Sequence, residues 1–115
     1  MSRIEPYRNE LDNLSSQDDI MERLIEILSD EVLYPEPGKF YTFIYNAKTP
    51  NIQYDEYPLI ACTELERWGF KGFNFHLRKP RQYTWEEVIG KLHVVNYDEV
   101  DDLNALQYGK LRLNK

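Results

Sequence analysis

Phe40-Tyr41-Thr42-Phe43-Ile44-Tyr45 decides the fold, together with Leu59-Ile60-Ala61-Cys62-Thr63-Glu64-Leu65 and Gly69-Phe70-Lys71-Gly72-Phe73-Asn74-Phe75-His76 downstream. The first run is aromatic and β-branched, and its period of two puts Tyr41, Phe43 and Tyr45 on one face. Phe40, Thr42 and Ile44 fall on the other, so the strand is expected to be covered on both sides. A short link from Glu66 to Gly69 joins the second and third runs, which reads as an antiparallel hairpin. Gly72 inside the third run predicts a bulge or a close backbone approach. Between the first two runs, residues 46–57 contain Pro50, Asn51 and Asp55 and read as a projecting loop.

Upstream, the chain predicts a helix over residues 16–32. Ser16 with Asp19 three residues on resembles a capping box, and Asp18 and Asp19 suit the positive end of the helix. Ile20, Leu24, Ile27 and Leu28 recur at helical spacing, with Met21, Ile25 and Val32 widening the stripe. Pro35-Glu36-Pro37-Gly38 stops it. A stripe this broad needs covering, by the domain's own sheet or by another chain. Downstream, Thr84 with Glu87 predicts a short helix carrying Val88, Ile89 and Leu92. Asn96 with Glu99 predicts another, through Val100, Leu103 and Leu106 to Gly109. Lys110 to Leu113 alternates charged and apolar side chains and reads as a last edge strand.

Clustered strands with flanking helices give an α+β class: a small, bent antiparallel sheet of three to five strands, an SH3-like barrel being one form of it. Residues 1–15 read as an extended N-terminal arm and residues 16–115 as a single compact domain. The length of 115 residues suits one domain with one modest core. A single cysteine excludes an internal disulfide framework and a Cys-rich zinc module. No run approaches eighteen apolar residues, and the start of the chain has no apolar core of a secretory signal. A protein that is neither secreted nor membrane-bound is therefore expected.

The formal net charge is −6, which opposes general wrapping of nucleic acid or coating of anionic membranes. The charge is uneven: residues 1–38 carry net −7, residues 39–80 net +2 and residues 81–115 net −1. Arg67, Lys71, Arg78, Lys79 and Arg81 form a cationic run interleaved with Trp68, Phe70, Phe73, Phe75 and Tyr83. Single-strand binders combine rings and cations in this way. The simpler reading is a core strand followed by a solvated basic turn.

The order of these motifs has a likeness. An aromatic strand is followed by Tyr54-Asp55-Glu56-Tyr57-Pro58-Leu59 and then by Gly69-Phe70-Lys71-Gly72-Phe73-Asn74-Phe75-His76. This resembles small proteins of tailed bacteriophages, those of large phages infecting aquatic bacteria such as cyanobacteria. Gln82-Tyr83-Thr84-Trp85-Glu86-Glu87-Val88 fits the same group, and the likeness spans residues 37–90. The resemblance implies a phage origin and a virion or assembly context, without a mechanism.

The chemistry-bearing residues point the same way. There is no phosphate-cradling glycine loop, no nucleophile elbow and no HExxH, so no enzyme and no cofactor is expected. His76, His93 and Cys62 are too scattered to predict a metal site. Asp55 and Glu56 are adjacent and tend to point apart, which suits a turn cap better than an acid–base pair. Asn74 and His76 share a face and are predicted to fix the 46–57 loop, or a nearby backbone group, by hydrogen bonds. Cys62 has apolar neighbours and reads as an inert core thiol. The tyrosine-rich composition suits protein interfaces. The contact candidates are Tyr41, Tyr45, Tyr54, Tyr57, Trp68, Lys71, Arg78, Arg81, Tyr83 and Trp85. The expected role is a non-enzymatic structural or assembly component of a virion, in tail, baseplate or neck. Its partners would be other phage proteins in a symmetric assembly. The alternative is a phage-encoded binder of nucleic acid or a host protein through residues 67–83.

Overall fold

In the computed structural model, which describes residues 2–115, the aromatic run forms β2 (Phe40–Tyr45) near the middle of a sheet. The other strands are β1 (Glu31–Val32), β3 (Ile52–Asp55), β4 (Leu59–Leu65), β5 (Gly69–Asn74), β6 (Lys79–Thr84), β7 (Val88–Val95) and β8 (Leu111–Asn114). Six of them make one antiparallel sheet in the order β1-β7-β2-β4-β5-β6, and β3 pairs with β8 as a separate antiparallel ribbon. The helices are α1 (Arg8–Asp12), α2 (Gln17–Ile27) and α3 (Val100–Ala105). The class is α+β with flanking helices. The sheet has more strands than the three to five expected, and it is not closed, so it is not a barrel.

The sheet is nevertheless strongly bent. β4 and β5 separate β2 from β6, and three flat strand spacings would be about 14 Å. Yet the Tyr45 and Tyr83 rings lie 4.9 Å apart, and Phe43 and Tyr83 5.3 Å apart. A bulge helps the bend: Thr63 is the extra residue of β4, in the register shift between Cys62 and Glu64. It follows Cys62, whose partner is Gly72, where a Cβ would come within 2.9 Å of Ile60.

The two faces of β2 enter two cores. Tyr41, Phe43 and Tyr45 pack inside the curl with Ile60, Cys62, Phe70, Tyr83 and Leu92. Phe40 and Ile44 face the helices, where Leu59 and Val95 meet Ile20, Met21, Leu24 and Leu28 of the α2 region. The α2 stripe is therefore covered by this chain itself.

Four local expectations are corrected. The helix predicted over 16–32 begins as read, with the Ser16 hydroxyl accepting from the Asp19 N–H, but ends at Ile27. There Leu28 offers its carbonyl to the His93 ring, and Asp30 accepts from the Val94 N–H, so the next residues join the sheet edge as β1. The helix predicted after Thr84 is only a 3-10 turn, Trp85–Glu87, before β7. The β-branched residues of that stretch find a strand partner in β2, and the Glu87 carboxylate is taken by Tyr45, Lys48 and Thr84. The 46–57 segment does not project as a free loop, because β3 lies in it and pairs with β8.

The fourth correction concerns the N-terminal arm. Of the arm expected over residues 1–15, the described residues 2–15 are not extended: Glu5–Tyr7 is a 3-10 turn leading into α1, and Ile4 and Leu11 are fully buried. Arg3 grips the buried Glu99 through two guanidinium nitrogens at 2.8 Å, and its own N–H bonds the same carboxylate. Glu99 also accepts from the Asn96 N–H, completing the capping box predicted there. An apolar pair and a bidentate ion pair hold the segment, features that its acidic, polar composition hid.

Candidate functional site

Asp55 is the centre of the polar structure. It is 2% exposed, at the end of β3 where the chain turns toward β4. Its Oδ1 accepts from the backbone N–H groups of Tyr57 (3.1 Å) and Lys110 (3.0 Å). Its Oδ2 meets Asn74 Nδ2 at 3.1 Å and His76 Nδ1 at 2.8 Å. All its acceptor directions are thus used. Burial pushes this carboxyl up, but the bonds from His76 and Asn74 outweigh it, and Asp55 sits below the usual carboxylate range. It is an ionised, fully satisfied buried carboxylate.

Asn74 completes the hub. Its Nδ2 also reaches the Tyr83 hydroxyl, and its Oδ1 accepts from the Leu77 N–H. The β5–β6 turn is thereby fixed, with Arg78 at φ 56 closing onto the Asn74 carbonyl. So Asn74 and His76 both hold residue 55 of the 46–57 segment. Asp55, which the sequence suggests only as a turn cap, turns out to join β3, β5 and the start of β8. Its setting among Tyr54, Tyr57, Pro58 and Leu59 was the available signal that it would be interior.

The His76 imidazole is held on its remaining sides. The Tyr108 ring meets it edge-on at 4.8 Å. Gly109 backs it so closely that a Cβ there would lie 2.7 Å from His76 Cγ. The side chain is 9% exposed, and its Nε2 is buried without a hydrogen-bond partner. The ring borders a cavity of about 340 Å³, shared with Arg78, Asn104, Gln107 and Leu111.

Asp55 also borders a second cavity, of about 470 Å³, on the β6 side. Tyr45, Tyr54, Lys71, Arg81 and Tyr83, all among the contact candidates, line it. They converge in space, but their functional groups are already engaged. The Tyr45 hydroxyl donates to Glu87, Tyr54 donates to Asn46, Lys71 pairs with Glu64 at 3.4 Å, and Arg81 donates to the Gln53 carbonyl.

The contact candidates as a set divide by burial. Tyr41, Tyr45, Tyr54, Tyr57 and Tyr83 are interior, so these five build the core and not a contact surface. Trp68 is 42% exposed. Trp85 is half-buried, donates its indole N–H to the Arg67 carbonyl and packs against Phe70 and the edge of Tyr34. Arg78 is exposed. His93 and Cys62 lie in other parts of the interior, and among the described residues no group of three or more His, Cys, Asp or Glu could hold a metal ion.

A surface feature missing from the candidates lies at the β1 end of the sheet. Leu33 and Tyr34 are 62% and 64% exposed. With Trp85, Val88, Gly90 and Leu92 they border a depression of about 190 Å³. β1 pairs only with Leu92 and His93 of β7. Among the described residues, Val88–Lys91 therefore has no strand on its outer side. Among the described residues no helix is long and apolar enough to cross a membrane. Comparison of the chain with protein-family models, with curated proteins and with solved structures finds no match in any of the three.

Proposed function

We propose that the protein works without catalysis, through contacts with other proteins, as a minor structural or assembly component of a phage particle. The observation that carries the contact reading is the β1–β7 edge: Leu33 and Tyr34 stand in solvent beside a stretch of β7 with an open side. Exposed apolar side chains next to unpaired strand backbone suit addition of a neighbour's strand. The phage context rests on the resemblance of residues 37–90 alone. A symmetric particle repeats one contact many times, so a modest edge suffices by avidity. Tail, baseplate or neck is the location this reading favours.

The test is mass spectrometry of purified particles of the encoding phage. The protein should be present at a fixed ratio to the other structural proteins. Leu33→Asp, at an exposed position, should fold normally and be lost from particles. Abundance in infected cells with absence from particles overturns the reading in favour of a host-directed binder.

The nucleic-acid alternative draws on residues 67–83, and their placement gives it little. Phe70 and Tyr83 are interior, and two of the five cations are already engaged.

A further inference from the structure

A strand that ends a sheet turns alternate backbone N–H and C=O groups to solvent, and its register says which residues carry them. β8 pairs with β3 alone, so among the described residues its other side has no strand. The Lys110 carbonyl accepts from the Glu56 N–H, and the Asn114 carbonyl from the Asn51 N–H. Residues 110, 112 and 114 therefore turn toward β3, and by the period of two Leu111 and Leu113 turn their N–H and C=O groups away. The partner strand bears out the alternation: Gln53, opposite Leu113, points its carbonyl away from β8, to Arg81. Leu111 and Leu113 share one face of the ribbon, and both are more than half exposed. The strand is fastened at both ends, by Asp55 on the Lys110 N–H and by the Asn114 amide on the Ala47 and Thr49 carbonyls. The free edge is thus held in place before anything meets it. It is also cationic. Residues 110–115 carry Lys110, Arg112 and Lys115 and no acid. Lys110 is engaged by Asp18 and Glu56. Arg112 is exposed and pairs with Glu56 at 3.6 Å, through an oxygen that it shares with Lys110. Lys115, and Lys48 between the two carbonyls that Asn114 holds, form no ion pair among the described residues.

We propose that the free edge of β8 takes up an extended segment of another protein as an added strand, one in which acidic and apolar side chains alternate. The backbone of Leu111 and Leu113 supplies the hydrogen bonds. Apolar positions of the incoming segment lie against the two leucines, and its carboxylates, on the other face, meet Arg112 and the flanking lysines. The β8 strand of a second copy does not fit, because the antiparallel register that uses both leucines sets Arg112 directly opposite Arg112. This surface is separate from the β1–β7 edge, and its test does not depend on the composition of any particle.

The probe is the acetylated and amidated peptide (Glu-Val)4, titrated into the full chain and read by backbone amide shifts. The expected result is a saturable response centred on residues 110–115, with (Lys-Val)4 about tenfold weaker, the scale of two charge pairs across a strand. Leu113→Pro deletes an outward N–H and none of the bonds to β3, and should weaken (Glu-Val)4 about fivefold. Arg112→Gln removes a charge at an exposed position and should weaken it about threefold. No saturable response, shifts centred elsewhere, equal affinity for the two peptides, or full affinity in either variant overturns the proposal. It is also overturned if (Glu-Ser)4 binds as tightly as (Glu-Val)4, which would mark attraction to charge alone. Shifts of residues 110–115 that grow with protein concentration in the absence of peptide overturn it in favour of a second copy.

Discussion

At the scale of single residues, the molecule is organised by carboxylates placed where water does not reach. Asp55, Glu87 and Glu99 are all buried, and each sits below the usual carboxylate range. Burial works against this in all three. It is outweighed by His76 and Asn74 at Asp55, by Thr84 and the Lys48 N–H at Glu87, and by Arg3 at Glu99. The sign of the linkage follows. A carboxyl depressed on folding stabilises the protein fully above its unfolded value of about 4, and that stability drains as pH falls through the folded value. Urea midpoints should therefore hold steady above about pH 5 and drop steeply below about pH 4. A midpoint that is flat down to the lowest pH would contradict the assignment. Asp55→Asn should destabilise by about 3–5 kcal/mol, since an amide has one acceptor oxygen and leaves partners unbonded. Little of this was readable beforehand. Asn74 and His76 announce themselves as polar groups on one face of an aromatic strand, whereas Asp55 looks like any turn aspartate until β3 and β8 enclose it.

At the scale of elements, local signals succeeded where they agreed with tertiary pairing. β2, β4 and β5 show both the period of two and the covering partners, and α2 shows its cap and stripe. β7 is the instructive failure. Thr84 and Glu87 have the spacing of a capping box, but Val88, Ile89, Val94 and Val95 are β-branched and β2 has an unpaired side to offer. Pairing with β2 overrides the local start signal, and one 3-10 turn is all that remains of it. β6 was hidden in a similar way, because Lys79, Pro80 and Arg81 look like a solvated turn and Pro80 is tolerated only because the strand is an edge. The α2 stripe yields a direct test. Leu24 is fully buried among Ile4, Leu11, Leu28 and Leu103. Leu24→Asp places an unpaired carboxylate there and should destabilise by several kcal/mol, to about the limit of what a small domain tolerates. Unchanged thermal stability would mean that the stripe faces solvent.

At the scale of the whole molecule, charge separates the two functional classes. Arg67, Lys71, Arg78, Lys79 and Arg81 look like a continuous basic surface in the sequence, and the fold distributes them over the β4–β5 turn, β5, the β5–β6 turn and β6. Lys71 is paired with Glu64, and Arg81 is spent on the Gln53 carbonyl. Of the rings that would stack bases, Phe70 and Tyr83 are turned into the inner core and Phe75 packs against the helix-side core, which leaves Trp68 as the exposed one of the set. An overall charge of −6 then governs the approach of any polyanion. The expected outcome is no measurable binding to single-stranded DNA or RNA, even at low salt. The opposite result has a definite signature. Five phosphate contacts would make log affinity fall with log salt at a slope of about −3.5. Affinity would then drop about a hundredfold for a fourfold rise in salt. Joint replacement of Lys71 and Arg81 by Ala would flatten the slope by about two contacts' worth. That pattern would require both cations to leave their present partners for phosphate, and it would move the protein from a contact module to a nucleic-acid binder.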